Sequence, residues 1–198
     1  EKDDSRLFRE NGESVMVTPW GANSFRVRAA FLGEIEEGSV ALSAPQDPAQ
    51  EGSISIEEQR ASITNGKIRA ELTVNPWGKA LQITFYDQKG KVLLQEIPNG
   101  GALQKKARHF RPLAGGGYHL KASFVSDPEE KIYGMGQYQQ ETFDLKGCNL
   151  ELAHRNSQAS VPFYISSLGY GFLWHNAAIG EVHFGSNTTE WIAEDTRH

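Results

Sequence analysis

The hydrophobic positions of this chain recur with a period of two. Phe25, Val27, Ala29 and Phe31 alternate with Arg26, Arg28 and Ala30, which predicts a strand with one buried face. Ala61-Ser-Ile-Thr64 and Lys67-Ile-Arg-Ala-Glu-Leu-Thr-Val74 flank Asn65-Gly66, a dipeptide that accepts the positive φ angles of a type I′ hairpin. Leu81, Ile83 and Phe85 alternate with Gln82 and Thr84. Asp87-Gln-Lys-Gly90 then turns the chain into Val92-Leu-Leu94, a second hairpin. Leu120, Ala122 and Phe124 predict another strand, and Val161 to Ile165, Gly171 to Trp174 and Glu181 to Phe184 predict three more. No window of helical length carries a helical stripe.

Twenty glycines and eight prolines punctuate these short segments. Many short strands with frequent turns read as a sandwich or barrel. The expected loops are Ala44 to Gly52, Pro98 to Tyr118 and Asp127 to Glu130. With 198 residues and no internal linker, residues 1–198 read as a single all-β domain.

Charge and cysteine usage narrow the picture. A formal net charge of -5 argues against a general nucleic-acid binder, which needs a basic face to neutralise phosphates. No apolar run approaches the roughly 18 residues of a membrane-spanning helix. The lone Cys148 excludes an internal disulfide and reads as a small packed residue. Glu1-Lys-Asp-Asp-Ser-Arg6 reads as a processed start from which any export signal has gone. The compartment, cytoplasmic or exported, and the oligomeric state stay open.

Few constellations carry chemistry. His109, His119, His154, His175, His183 and His198 have no metal-ligand spacing, so no metal is expected. Gly115-Gly-Gly117 lacks the Lys-Ser/Thr sequel of a phosphate loop. Ser160 and Ser166 lie outside any Gly-x-Ser-x-Gly elbow, and Cys148 has no positioned base. Asp144, Glu151, Glu181, Glu190 and Asp195 are candidate acids, but their spacing selects no glycosidase pair. What remains is a carbohydrate signature, an aromatic platform beside amide, carboxylate and imidazole groups. Tyr133, Tyr138, Phe143, Phe163, Tyr164, Tyr170 and Trp174 supply rings. Gln137, Gln139, Gln140, Asn149, Glu151, His154, Arg155 and Asn156 supply hydrogen-bonding groups. Phe163, Tyr170 and Trp174 sit in strand-like runs and are expected in the core. The polar run from Asn149 to Asn156 carries more donors and acceptors than a connection needs, which marks it for binding.

Four segments resemble the N-terminal domain of glycoside hydrolase family 31. They are Tyr133-Gly-Met-Gly-Gln137, Asn156-Ser157, Val161-Pro-Phe-Tyr-Ile-Ser166 and Gly169-Tyr-Gly-Phe-Leu-Trp-His-Asn176, in the family's order. Pro19 to Arg28 resembles its opening strand, and Leu81 to Leu94 its middle hairpin. The resemblance implies a galactose-mutarotase-like β-sandwich with little or no helix. It implies a parent enzyme that is a retaining α-glycosidase using two aspartates, one as nucleophile and one as acid and base. Both would lie on a C-terminal (β/α)8 barrel absent from residues 1–198, so this chain alone would not catalyse and would need no cofactor. Its partners would be its own barrel and an α-linked xyloside or glucoside, with no nucleic acid or membrane. In the family a loop of this domain reaches over the barrel mouth. By position that loop is about 147–160, and Glu151, His154 and Asn156 are the substrate-binding residues it implies. Gln137 stands where many α-glucosidases have Glu, and with Tyr138-Gln-Gln140 and Leu145-Lys-Gly147 it resembles α-xylosidase members more closely.

Two other functions fit the same residues. One is a free-standing carbohydrate-binding module with a platform among Tyr138, Phe143 and Trp191. The other is an aldose epimerase, which requires His119, His175 or His183 beside a carboxylate.

Overall fold

The computed structural model describes residues 6–35, 42–43, 52–75, 80–100 and 105–197. The opening residues 1–5, most of the first expected loop (44–51) and His198 lie outside them. The described residues form sixteen strands and no helix. The chain divides between Lys105 and Lys106 into two compact units.

In the first unit, β1 (Arg6–Glu10), β2 (Glu13–Pro19) and β3 (Phe25–Phe31) make a three-stranded antiparallel sheet. β4 (Ile54–Glu57), β5 (Arg60–Asn65), β6 (Ile68–Asn75), β7 (Ala80–Asp87) and β8 (Val92–Glu96) make a second, in sequence order. Alternation decides which side chains meet. Val15 and Val17 of β2 pack with Ala61 and Ile63 of β5, Ala70 and Leu72 of β6, and Leu81 and Ile83 of β7. β3 obeys its pattern only in part, because Ala30 is buried while Val27 is exposed.

Both expected hairpins form, but the first turns differently. Asn65 ends β5 opposite Ile68, so Gly66 and Lys67 make the corner, and of the two only Gly66 has positive φ, at 57°. That is the pattern of a type II′ turn rather than I′. Asn65 is fully buried, and its Nδ2 donates to the carbonyls of Gly21 and Ser24, each at 2.8 Å. Its amide is occupied in holding the β2–β3 connection. At the second hairpin Asp87 Oδ1 accepts from the N–H groups of Lys89 and Lys91.

In the second unit, β9 (Arg108–Pro112), β10 (Tyr118–Val125), β12 (Asn149–Leu152), β15 (Gly180–Phe184) and β16 (Thr188–Thr196) form one sheet, ordered β12-β15-β16-β10-β9. β11 (Ile132–Gln137), β13 (Ala159–Ser166) and β14 (Gly171–Leu173) form another, ordered β11-β13-β14. Aromatic rings fill the space between them. Trp191 of β16 stacks on Tyr164 of β13 (centroids 6.2 Å) and on Trp174 (5.6 Å), and meets Phe172 of β14 (5.1 Å). Tyr170 is half-buried, and its hydroxyl is 3.1 Å from that of Tyr164.

Three expectations are corrected here. The Pro98–Tyr118 stretch contains β9, which pairs with β10 through Phe110 opposite Leu120. The polar run from Asn149 opens with β12 rather than a loop. Phe163 does not join the core. It is 41% exposed, whereas its neighbour Tyr164 is 2% exposed, because adjacent strand residues face opposite sides.

Candidate functional site

The Tyr-Gly-Met-Gly-Gln segment is a break in a strand. Gly134, Met135 and Gly136 have φ of 124°, 69° and 92°. Gly134 pairs with Tyr164 and Gly136 with Ser160, so one residue of β11 faces three of β13. Pro162 sits among those three, where the interrupted ladder asks no N–H of it. The glycines are required by space as well as by φ. A Cβ on Gly134 would lie 2.7 Å from the Phe163 carbonyl oxygen, and one on Gly136 would lie 2.3 Å from that of Ala159. Between them Met135 turns fully into the core. A non-glycine residue held in this region is strained, and such strain gathers at sites that need a fixed shape.

Beyond the break, Tyr138 reaches the turn between β12 and β13. Its hydroxyl donates to the Glu151 carbonyl at 2.9 Å and lies 2.8 Å from Ser160 Oγ. Burial pushes the Tyr138 phenol up from its ordinary pKa, so it is a neutral donor at physiological pH. The turn itself is tight. Arg155 and Gln158 form a bridge, with the Arg155 N–H donating to the Gln158 carbonyl at 3.1 Å and the reverse bond at 3.2 Å. Gln158 Nε2 donates to the carbonyls of Glu151 (3.2 Å) and Ala153 (2.9 Å).

Two of the three expected site residues, His154 and Asn156, lie in this turn, and the third, Glu151, stands on β12 at its entry. The Glu151 carboxylate accepts from Arg155 Nε at 3.0 Å, and Arg155 Nη2 makes a second bond to it. The Arg155 hydrogen bond holds the Glu151 carboxyl below the usual range; desolvation opposes it, and the Arg155 charge adds to the lowering. His154 Nδ1 accepts from the Ser160 N–H at 3.3 Å, and the residue is exposed. Asn156 is exposed at the turn's tip with Ser157. Sequence reasoning named the charged and polar tip and missed its supports, Tyr138, Gln158 and Ser160. The run of consecutive donors and acceptors was the available signal, but their pairing is a tertiary fact.

Three of the other four candidate acids, Asp144, Glu190 and Glu181, are engaged elsewhere. Asp144 Oδ1 accepts from the N–H groups of Ile132 (3.0 Å) and Lys146 (3.1 Å), a local cap. Glu190 pairs with Lys121 at 2.8 Å. Glu181 lies opposite Glu151 across β15 and β12, and its Oε2 is 2.8 Å from His183 Nε2. Like charges opposite each other repel. Here each has its own cationic or hydrogen-bonding partner. Among the described residues no group of three or more His, Cys, Asp or Glu side chains could hold a metal. The binding-module platform does not assemble, because Trp191 is 0% exposed and Phe143 is 84% exposed.

Comparisons with known proteins place this arrangement. Residues 14–182 match the family model of the glycosyl hydrolase 31 N-terminal galactose mutarotase-like domain. A protein named uncharacterized family 31 glucosidase ORF2 of Pseudescherichia vulneris is 41% identical over 96% of this chain and 38% of its own length. α-Xylosidase A of Aspergillus niger is 26% identical over 93% of this chain and 27% of its own. A crystal structure of a family 31 α-xylosidase from a soil metagenome, complexed with xylose, superposes on the whole chain with a TM-score of 0.90 and 42% identity. The chain covers only 30% of that protein.

Proposed function

We propose that this chain, which belongs to the glycosyl hydrolase 31 N-terminal galactose mutarotase-like domain family, is the non-catalytic N-terminal domain of a retaining α-glycosidase. The fold is that family's β-sandwich. In our reading residues 1–198 act as one domain that packs on the enzyme's (β/α)8 barrel. The turn between β12 and β13 completes the sugar subsites there, with Glu151, His154 and Asn156 facing an α-linked xyloside in preference to a glucoside. The barrel supplies the two aspartates that form and hydrolyse the glycosyl-enzyme.

The observation that carries the reading is the superposition of the whole chain on under a third of an α-xylosidase. The tied turn supports the site assignment. Its hydrogen bonds hold the tip before any sugar arrives, so little ordering cost is left for binding. The binding-module reading loses support with Trp191 in the core.

The test compares the isolated chain with the full-length parent on p-nitrophenyl α-xyloside and α-glucoside. The chain alone is expected to turn over neither. In the parent, Asn156→Ala and His154→Ala are expected to raise KM for oligosaccharides more than for the aryl xyloside, whose leaving group makes fewer contacts. Hydrolysis by the isolated chain that vanishes on substituting one of its own acids sinks the reading.

A further inference from the structure

The sheet β11-β13-β14 has a second face that nothing in its own unit covers. Tyr133 stands opposite Ile165, which stands opposite Gly171, and Phe163 stands opposite Leu173. These positions alternate with Tyr164 and Phe172, which pack inward, so they all point the other way. Val161 is 52% exposed, Ile165 57% and Leu173 42%. The Phe163 ring lies across β14, 3.1 Å from where a Cβ on Gly171 would be. Phe143 extends the apolar surface by packing on Tyr133 with centroids 5.1 Å apart.

None of these positions carries a charge. The outward face of β15 and β16 shows what a solvated surface in this unit looks like, with Glu181, His183 and Glu190 in a row and Lys121 beside them. Monomeric proteins rarely leave a contiguous apolar patch beyond a few hundred Å² open to water.

We propose that this face is the surface on which the remainder of the parent polypeptide docks, with Phe163, Ile165 and Leu173 at its centre. The inference rests on reading the chain as one domain of a larger glycosidase, and it names the surface that reading requires. The soil-metagenome enzyme devotes only 30% of its length to the part this chain matches, and the Pseudescherichia vulneris protein 38%. A same-chain partner is therefore available at high effective concentration, which a second copy is not. The strained break in β11 serves this face too. By turning Met135 inward it interrupts the outward row, so Tyr133 and Phe143 form its rim.

The test uses the full-length parent enzyme. Phe163→p-benzoylphenylalanine and Leu173→p-benzoylphenylalanine place photo-crosslinkers on the face, and Ile56 and Ile179, exposed elsewhere, take the same probe as comparators. After irradiation, the first two variants are expected to give monomer-mass crosslinks to peptides beyond residues 1–198. Crosslinks between two copies overturn the proposal in favour of self-association. Silence at Phe163 and Leu173 with same-chain crosslinks from Ile56 or Ile179 overturns the face and leaves the domain reading standing. Silence at all four positions overturns both.

Discussion

The two units bury their cores by different chemistry. The first interdigitates small aliphatic side chains, with Val15, Val17, Ala61, Ile63, Ala70, Leu72, Leu81 and Ile83 all buried. Its strands from β4 to β8 pair in sequence order. The second stacks Trp191, Tyr164, Phe172, Phe184 and Trp174, and its strands pair out of order. It also holds the strained β11 break, the tied turn and the open apolar face. Small aliphatic residues fit a regular pleat and leave nothing over. Large rings need an irregular frame, and the irregularities carry the residues that reach outward.

The comparison can be broken first at the cores. Trp191→Ala is expected to cost about 3–5 kcal/mol, and Ile83→Ala about 2–5 kcal/mol, because both sites are closed on all sides. Urea denaturation followed by circular dichroism measures both. If Trp191→Ala costs no more than an exposed substitution, the ring cluster is not the second unit's core.

The β11 break comes next. Gly136→Ala meets the Ala159 carbonyl oxygen 2.3 Å away and must hold φ of 92°. The backbone conformation alone is expected to cost about 1–3 kcal/mol, and the clash adds to it. Gly90→Ala in the first unit faces φ of 80° with nothing within 4 Å, so it isolates the conformational part. Equal losses at the two glycines would show that close packing of β11 on β13 does not matter.

This contrast also explains what could be read in advance. In the first unit β3 and β5 to β8 follow from alternation, and the hairpins from Asn65-Gly66 and Asp87-Gln-Lys-Gly90, although buried Asn65 shifted the first corner by one residue; β1, β2 and β4 do not show in the alternation. In the second unit β16 escaped notice. Its buried face is Thr189, Trp191 and Ala193, of which only Trp191 is strongly apolar. β12 reads as part of a loop in the sequence because only Leu150 and Leu152 of its four residues are buried, too short a run to show a period. The site residues were legible as a polar cluster. Their order was not, because Tyr138, just past the end of β11, crosses to hold them.

The finest test lies in the turn and concerns charge rather than stability. The Glu151 carboxyl is held low by the Arg155 hydrogen bond and charge. A depressed folded pKa means the pair contributes above the ordinary carboxylate range and is lost as pH falls through the lowered value. The ion pair is therefore expected to persist through the ordinary glutamate range and to be lost only as pH falls through the lowered value. Carbon-detected NMR titration of Glu151 checks this directly, and Arg155→Ala should move the titration up toward the ordinary value. Unfolding midpoints at pH 7 should barely move in either Arg155→Ala or Glu151→Gln, since both side chains are open to solvent. An ordinary titration for Glu151 with Arg155 in place would mean that the ion pair does not hold the tip. The turn's shape would then rest on Tyr138 and Gln158 alone, and Tyr138→Phe would become the substitution that frees His154 and Asn156.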